Sequence, residues 1–368
     1  MKPCLYSVLA ITLAAFSLCL TAGAQTFTIT GIGTPSGSLW SQPVGVNTNG
    51  QAVGQTIYGT QTTTTATLPF VYVPVPSLGF ASAGIYTLPT LGGSSGKAYS
   101  INKSGQVVGW CGDSTGVNHA FLWDSTHGTR QLDVIADSAG TTAQKMGWFL
   151  TAAVTIAANG DILCGGTHTT AGTVDARGCI WHMDNSGGVQ TLRIVTVPND
   201  GAGCNALNDI GQVLTRQTNP TTQSPEACVF DSGGGTLRYL GSVFGQGQGI
   251  NNCTESVGRN GYINLPASNY GLPPGNTYLG SLGGSTGGRA INDAGQVAGF
   301  SHTKSGNTIA IFWQRGVLKD LNTLANTGSN WKLTVGNSIS GLINASSGYI
   351  VGEGFFKGAS AGWILTPQ

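Results

Sequence analysis

A short phrase that keeps returning constrains this chain more than any other feature. Ile101–Gly109 reads INKSGQVVG and Ile291–Gly299 reads INDAGQVAG. VNTNGQAVG begins at Val46, IAANGDIL at Ile156 and LNDIGQVL at Leu207, with degenerate copies INNCTESVG from Ile250 and INASSGYIVG from Ile343. The anchors lie 55, 55, 51, 43, 41 and 52 residues apart. That period belongs to repeat architectures, in which one unit cannot bury its apolar face without a neighbour.

Each copy carries four short β-type segments. The first ends at the Ile-Asn pair, as in Ala98-Tyr99-Ser100-Ile101. Asn-x-x-Gly then reads as a type I turn, with Asn at its first position and Gly at its last in a left-handed conformation. Gln106-Val107-Val108 is the second segment and His119-Ala120-Phe121-Leu122-Trp123 the third. The fourth is Tyr86–Leu91 before Gly92-Gly93, echoed by Tyr278–Leu282 before Gly283-Gly284. Four strands every 40–55 residues matches a propeller blade. The last copy stops after its third segment, Ala361–Leu365, while a spare fourth segment, Phe27–Gly33, stands ahead of the first anchor. A ring uses that offset, because the N-terminal strand completes the last blade and leaves no open edge. The expectation is an all-β, seven-bladed β-propeller closed by its N-terminal strand. If the weak fifth copy forms no blade, there are six.

Composition agrees. Charged residues make up 8% of the 368, where roughly 25% is usual, and glycine, at 58 residues, is about twice its ordinary share. Such a chain is not helix-rich. A net charge of +1 without a basic cluster lacks the footprint of a nucleic-acid binder.

The chain opens with Met1-Lys2, an apolar run from Leu5 to Leu20, and Ala22-Gly23-Ala24. This reads as a secretory signal peptide over residues 1–24, cleaved before Gln25. The run is too short for a membrane anchor, so residues 25–368 are expected to form one exported propeller domain without a membrane span, extracellular or periplasmic, and monomeric. Cleavage removes Cys4 and Cys19 and leaves Cys111, Cys164, Cys179, Cys204, Cys228 and Cys253. An even number in an exported protein favours disulfides. If the strands on either side of Ala171-Gly172 form a hairpin centred there, Cys164 stands opposite Cys179 and the two are disulfide candidates; a slip in register leaves both as buried thiols. The other four cannot be paired from sequence.

HAFLW at His119–Trp123, INDAGQVAG and the LGSLGG before it resemble the bacterial extracellular HAF-repeat family over nearly all of the mature chain. The resemblance implies export and a repeat fold, and carries no shared activity or catalytic residue. The His of the HAF motif is replaced in every copy but one, which argues against its being a shared ligand.

The residues that carry chemistry are sparse. Fifteen acidic residues are scattered without a recurring channel-facing pair, which glycoside hydrolysis needs. Asp209 and Asp293 fall in the tight turns, and no calcium loop, zinc spacing, G-x-S-x-G, H-E-x-x-H or P-loop is present. No cofactor, metal or catalytic residue is expected. Trp123, Trp181 and Trp313 share one repeat position and read as packing residues.

Loop length says more. From Leu88 to Ile101 the crossover takes 13 residues and from Leu279 to Ile291 it takes 12, whereas Asp133 to Ile156 and Asp320 to Ile343 each take 23. Both long crossovers contain one element, Trp148-Phe149-Leu150-Thr151 and Trp331-Lys332-Leu333-Thr334. Long loops gathered on one face of a rigid scaffold are where binding usually resides. The expected function is therefore a secreted binding or surface-interaction module using that face toward an extracellular glycan or protein. Trp148, Trp331, His168 and His302 are the candidate ligand-binding residues. The alternative is a secreted enzyme acting on a glycan or small molecule in the propeller channel. Three placements follow: Thr28–Ile32 beside Gly362–Leu365; Asp137–Phe149 and Ala325–Trp331 on the face opposite the turns Asn102–Gly105 and Asn292–Gly295; and Cys164 bonded to Cys179.

Overall fold

In the recurring phrase, Asn and Gln hold each other. The Asn102 carbonyl accepts the Gly105 N–H at 3.0 Å, and Gly105 takes a φ of 81°. Asn102 Oδ1 accepts the Gln106 N–H at 3.0 Å while its Nδ2 donates to Gln106 Oε1 at 2.8 Å. The same pair of bonds forms at Asn47–Gln51, Asn208–Gln212 and Asn292–Gln296. In the degenerate fifth copy Thr254 occupies the glycine position at φ 63° and Glu255 replaces the glutamine, accepting from Asn251 Nδ2 at 2.7 Å. A β-branched residue is strained there, and its hydroxyl bond to Gln212 Oε1 at 2.8 Å offsets part of the cost.

Four of these Asn amides also reach the next repeat. Asn47 donates to the Asn102 carbonyl, Asn208 to Asn251 and Asn251 to Asn292, each at 2.9 Å, and Asn292 donates to Ser340 at 3.0 Å. These turns therefore share one face. The inner strands Trp148–Ile156 and Trp331–Ile339 run toward it, so their tryptophans start at the opposite end, as expected for the long-crossover face. The closing glycine of the phrase has a different reason. A Cβ on Gly299 would lie 2.1 Å from the Gly287 carbonyl oxygen, and one on Gly109 2.0 Å from that of Lys97. Only glycine lets the second strand come this close to the first.

The computed structural model describes residues 26–60, 62–184, 189–198, 203–325 and 330–368. The expected signal peptide, and residues 326–329 of the second long crossover, lie outside them. The architecture is all-β, with a single helical turn at Leu321–Leu324 and two short 3-10 segments among the described residues. Strands form five antiparallel four-stranded sheets and one eight-stranded sheet, whose two halves meet through a single parallel bridge, Thr67 to Ser95. A typical sheet runs Gly283–Ile291, Val297–Thr303, Thr308–Gln314, Val317–Asp320. The N-terminal strand Phe27–Gly31 pairs with Ala359–Pro367, placing Thr28 opposite Thr366 and Gly31 opposite Trp363.

The core lies between neighbouring sheets rather than in one central mass. Val53, Val71 and Val73 pack with Ala98, Val107 and Phe121; Val108 and Leu122 pack with Trp148, Leu150 and Ile162. Val351 and Ile364 of the last repeat pack with Val46, Ala52 and Phe70 of the first. Trp123, Trp181 and Trp313 are buried between sheets, as expected, and Trp363 joins them.

Two details depart from the sequence reading. The seventh anchor is Ile339-Ser340, not Ile343: Ile339 is buried, pairs with Ile350, and Ser340 receives the bond from Asn292. The loop 340–349 is longer than the other turns, and INASSG belongs to that excursion, so the resemblance of Ile343-Asn344 to the motif is a coincidence of composition. The fourth strands of the first and fifth repeats are Gly84–Thr87 and Gly275–Tyr278 rather than Tyr86–Leu91 and Tyr278–Leu282, and the glycines at 92 and 283 begin the next inner strands.

Candidate functional site

Two places gather side chains able to hold a ligand, and the first is built by a backbone irregularity. In six inner strands the pairing steps over one residue shortly before the turn: Val44, Tyr99, Val154, Gln248, Arg289 and Asn337. A β-bulge re-aims the extra side chain. All six, together with Asn205 of the remaining repeat, line a single cavity of about 440 Å³ surrounded by the inner strands. Lys97 lines it too. The volume falls in the range of small-molecule sites, roughly 300–1,000 Å³.

The cavity wall is half polar and half apolar, and its charges are unevenly placed. Lys97 Nζ donates to Gln42 Oε1 at 3.3 Å, and Gln42 Nε2 donates to Glu353 Oε2 at 2.8 Å. Burial lowers the Lys97 amine from its usual value, opposed by Glu353 and assisted by Arg289. Arg289 is lowered by burial and by the neighbouring Arg259, again opposed by Glu353. The Arg289 guanidinium lies 5.5 Å from the centre of the Phe300 ring and reaches Gln248 Oε1 only at 3.4 Å. Its Nε is buried and forms no hydrogen bond within the chain. None of these residues was singled out from sequence. The seven positions share no residue type, so the repeat carries no signal for them; the only available clue was their place two residues before each anchor.

The second place is on the long-crossover face. Trp331 stands opposite Phe356 across the first two strands of its sheet, with ring centroids 4.8 Å apart and tilted by 40°. With Gly31, Gly33, Thr34, Ser360, Ala361 and Gly362 they line a cleft of about 330 Å³. The Trp331 ring rests over Gly31, where a Cβ would come within 3.2 Å of it. Phe355 and Phe356 are exposed alongside, and Lys357 Nζ lies 5.4 Å from the Phe356 ring centre.

The four candidate binding residues are not brought together. Trp148 stands opposite His168, with which it stacks at 4.5 Å, but the indole is 3% exposed and belongs to the core between two sheets. His168 is held by the Met146 carbonyl at 3.2 Å and the Thr170 hydroxyl at 3.1 Å. His302 sits in another repeat, edge-on to Phe300 and bonded to Ser285 Oγ at 2.9 Å. His168 and His302 are partly exposed, and of the four it is Trp331 that borders the aromatic cleft.

Cys164 and Cys179 stand directly opposite one another, in the expected register, yet both are free, buried thiols. The expected bond is not present in this structure. Directly opposed residues hold their β-carbons about 4.5–5.5 Å apart, beyond the roughly 3.5–4.5 Å a disulfide requires. Burial pushes the Cys164 thiol well up, and the adjoining Cys179 adds to it. His119 of the HAF motif is buried against Phe149 and bonded to Asp113 Oδ2 at 3.2 Å. With the Thr115 hydroxyl and the Val117 N–H, it helps hold the Asp113 carboxyl far below the usual range. That His fastens a hairpin.

The chain is similar to the β-propeller domain of the Trilobed protease from Pyrococcus furiosus, described as having an open velcro topology. The two share 8% identity over 93% of this chain and 97% of that one, with a TM-score of 0.52. The fold is a β-propeller. TolB from Acinetobacter baumannii is a fainter likeness, at 13% identity and a TM-score of 0.37 over 72% of this chain and 64% of that one; at that score it adds nothing to the assignment. No protein-family model matches the chain, and no curated protein does. No helix among the described residues of the propeller is long and apolar enough to cross a membrane.

Proposed function

We propose that this chain is an exported binding protein of the HAF-repeat type, a seven-bladed propeller that takes a glycan on its long-crossover face at the Trp331–Phe356 cleft. Seven blades are supported by dividing the eight-stranded sheet at its lone Thr67–Ser95 bridge, which makes every repeat four-stranded. Closure is supported by the Phe27–Gly31 pairing with Ala359–Pro367 and by the core shared between the last and first repeats. Export rests on the signal-peptide pattern of residues 1–24.

The cleft carries the functional reading. A sugar ring presents one apolar C–H face and a rim of hydroxyls. Trp331 and Phe356 offer tilted aromatic faces, the glycines leave the floor free of side chains, and the Thr34 and Ser360 hydroxyls stand at the edge. No carboxylate or imidazole is among the described residues lining it, which favours holding a ligand over hydrolysing one. Trp148, whose ring is enclosed, is assigned to packing. A glycan-array screen of the mature chain tests the proposal. Concentrated binding to one glycan class that disappears in Trp331→Ala and persists in folded His302→Ala is the expected result. Absence of binding, or binding indifferent to Trp331, overturns it.

A further inference from the structure

We infer that the central channel is a second site, independent of the cleft, which binds a small multiply charged organic anion through Arg289 and Lys97. Four observations meet there. The channel holds a cavity of about 440 Å³, enough for a compact metabolite-sized ligand. Its wall is formed by residues that bulges turn out of the pairing, a device that recurs in six repeats and aims a side chain without serving the ladder. The side chains so presented are uneven around the ring, with Val44 and Val154 in two repeats and Asn205, Gln248, Arg289 and Asn337 in four successive ones. A plug needs only bulk, whereas a graded polar arc suits a ligand with a charged end and hydrogen-bonding groups beside it.

The charges give the sign. Lys97 and Arg289 line the cavity and have one carboxylate near both, Glu353, and that carboxylate is engaged by Gln42. In a chain with so few charges, two half-buried cations sharing one channel beside a single, already engaged carboxylate are costly unless something negative joins them. Arg289 is the keystone. Phe300 backs its guanidinium, Gln248 holds it only loosely, and its buried Nε has no partner in the chain. A guanidinium presents its donors in a planar fork that matches a carboxylate or phosphoryl group. The Gln248 and Asn337 amides beside it can then bond hydroxyl or carbonyl groups of the same ligand.

Calorimetric titration of the full chain with citrate, and separately with inorganic phosphate, tests the assignment. Citrate stands for carboxylate ligands and phosphate for phosphoryl ones; binding of either that weakens as salt is raised supports an anion site and indicates which source it serves. Arg289→Gln and Lys97→Gln should each weaken binding at least tenfold, a change of about 1.4 kcal/mol. Asn337→Asp, which adds a carboxylate to the ring with almost no change of shape and at the loss of one bond to the Pro43 carbonyl, should do the same and stands in if either cation variant fails to fold. Trp331→Ala should leave channel binding unchanged, so loss of the glycan reading and loss of this one are told apart. If neither anion binds, or if binding is the same in the folded variants, the channel site is rejected.

Discussion

Trp148 and Trp331 occupy equivalent places in the third and seventh repeats. Each opens a nine-residue inner strand ending on a buried isoleucine, Ile156 or Ile339, and each faces an aromatic ring on the second strand, His168 or Phe356. Each is followed two residues later by a leucine whose N–H is caught by a side chain from the preceding crossover, Asp133 for Leu150 and Asn322 for Leu333. The outcomes nevertheless differ. In the third repeat the crossover folds back over the indole: Ala143 is fully buried and its carbonyl accepts the Trp148 N–H at 3.0 Å. In the seventh, the fourth strand comes from the far N-terminus and ends in Gly31, so the indole lies over a residue without a side chain and keeps an open edge. One motif serves packing in one repeat and borders a cleft in the other, and distant chain segments decide which.

The sharpest way to break this comparison is Trp148→Ala. Removing an enclosed indole should cost about 3–5 kcal/mol in chemical denaturation. Because Cys164 and Cys179 lie in the same cluster, their labelling by a thiol reagent should accelerate, while glycan binding by the folded fraction stays unchanged. A loss below about 1 kcal/mol would mean that Trp148 is not the packing member of the pair.

Trp331→Ala should cost less, about 1–2 kcal/mol given its partial exposure, while abolishing glycan binding and leaving thiol labelling as it was. Equal destabilisation of the two variants would erase the distinction drawn between the repeats.

The rings opposite them come next. His168→Ala removes a stacked partner worth about 0.5–1.5 kcal/mol beyond its area, and a melting curve should register it without any change in binding. Phe356→Ala should behave in the reverse way, with little change in melting and a clear loss of affinity.

Gly31→Ala is the finest probe. The added methyl presses on the Trp331 ring at 3.2 Å, so the indole must tilt. Stability should change by no more than about 0.5 kcal/mol, and affinity for the glycan identified on the array should fall several-fold in a calorimetric titration.

Much of this molecule is legible in its sequence. The Asn-x-x-Gly-Gln turn closes bonds within five residues, so its chemistry is written locally and repeats visibly. The pairing of Cys164 with Cys179 followed from counting outward from a glycine, because hairpin register is set by its own turn. The spare N-terminal segment announced a partner strand for the same kind of reason: a sheet edge left open at one end of the chain wants a strand from the other. What tertiary structure alone decided was which side chains face shared space. Val44, Tyr99, Asn205 and Arg289 have no residue type in common and become one wall only when bulged strands surround a cavity. The enclosure of Trp148 and the openness of Trp331 depend on segments that arrive from elsewhere in the chain. Backbone hydrogen bonding in turns is local and therefore readable in sequence, whereas exposure and convergence depend on how separate repeats pack together.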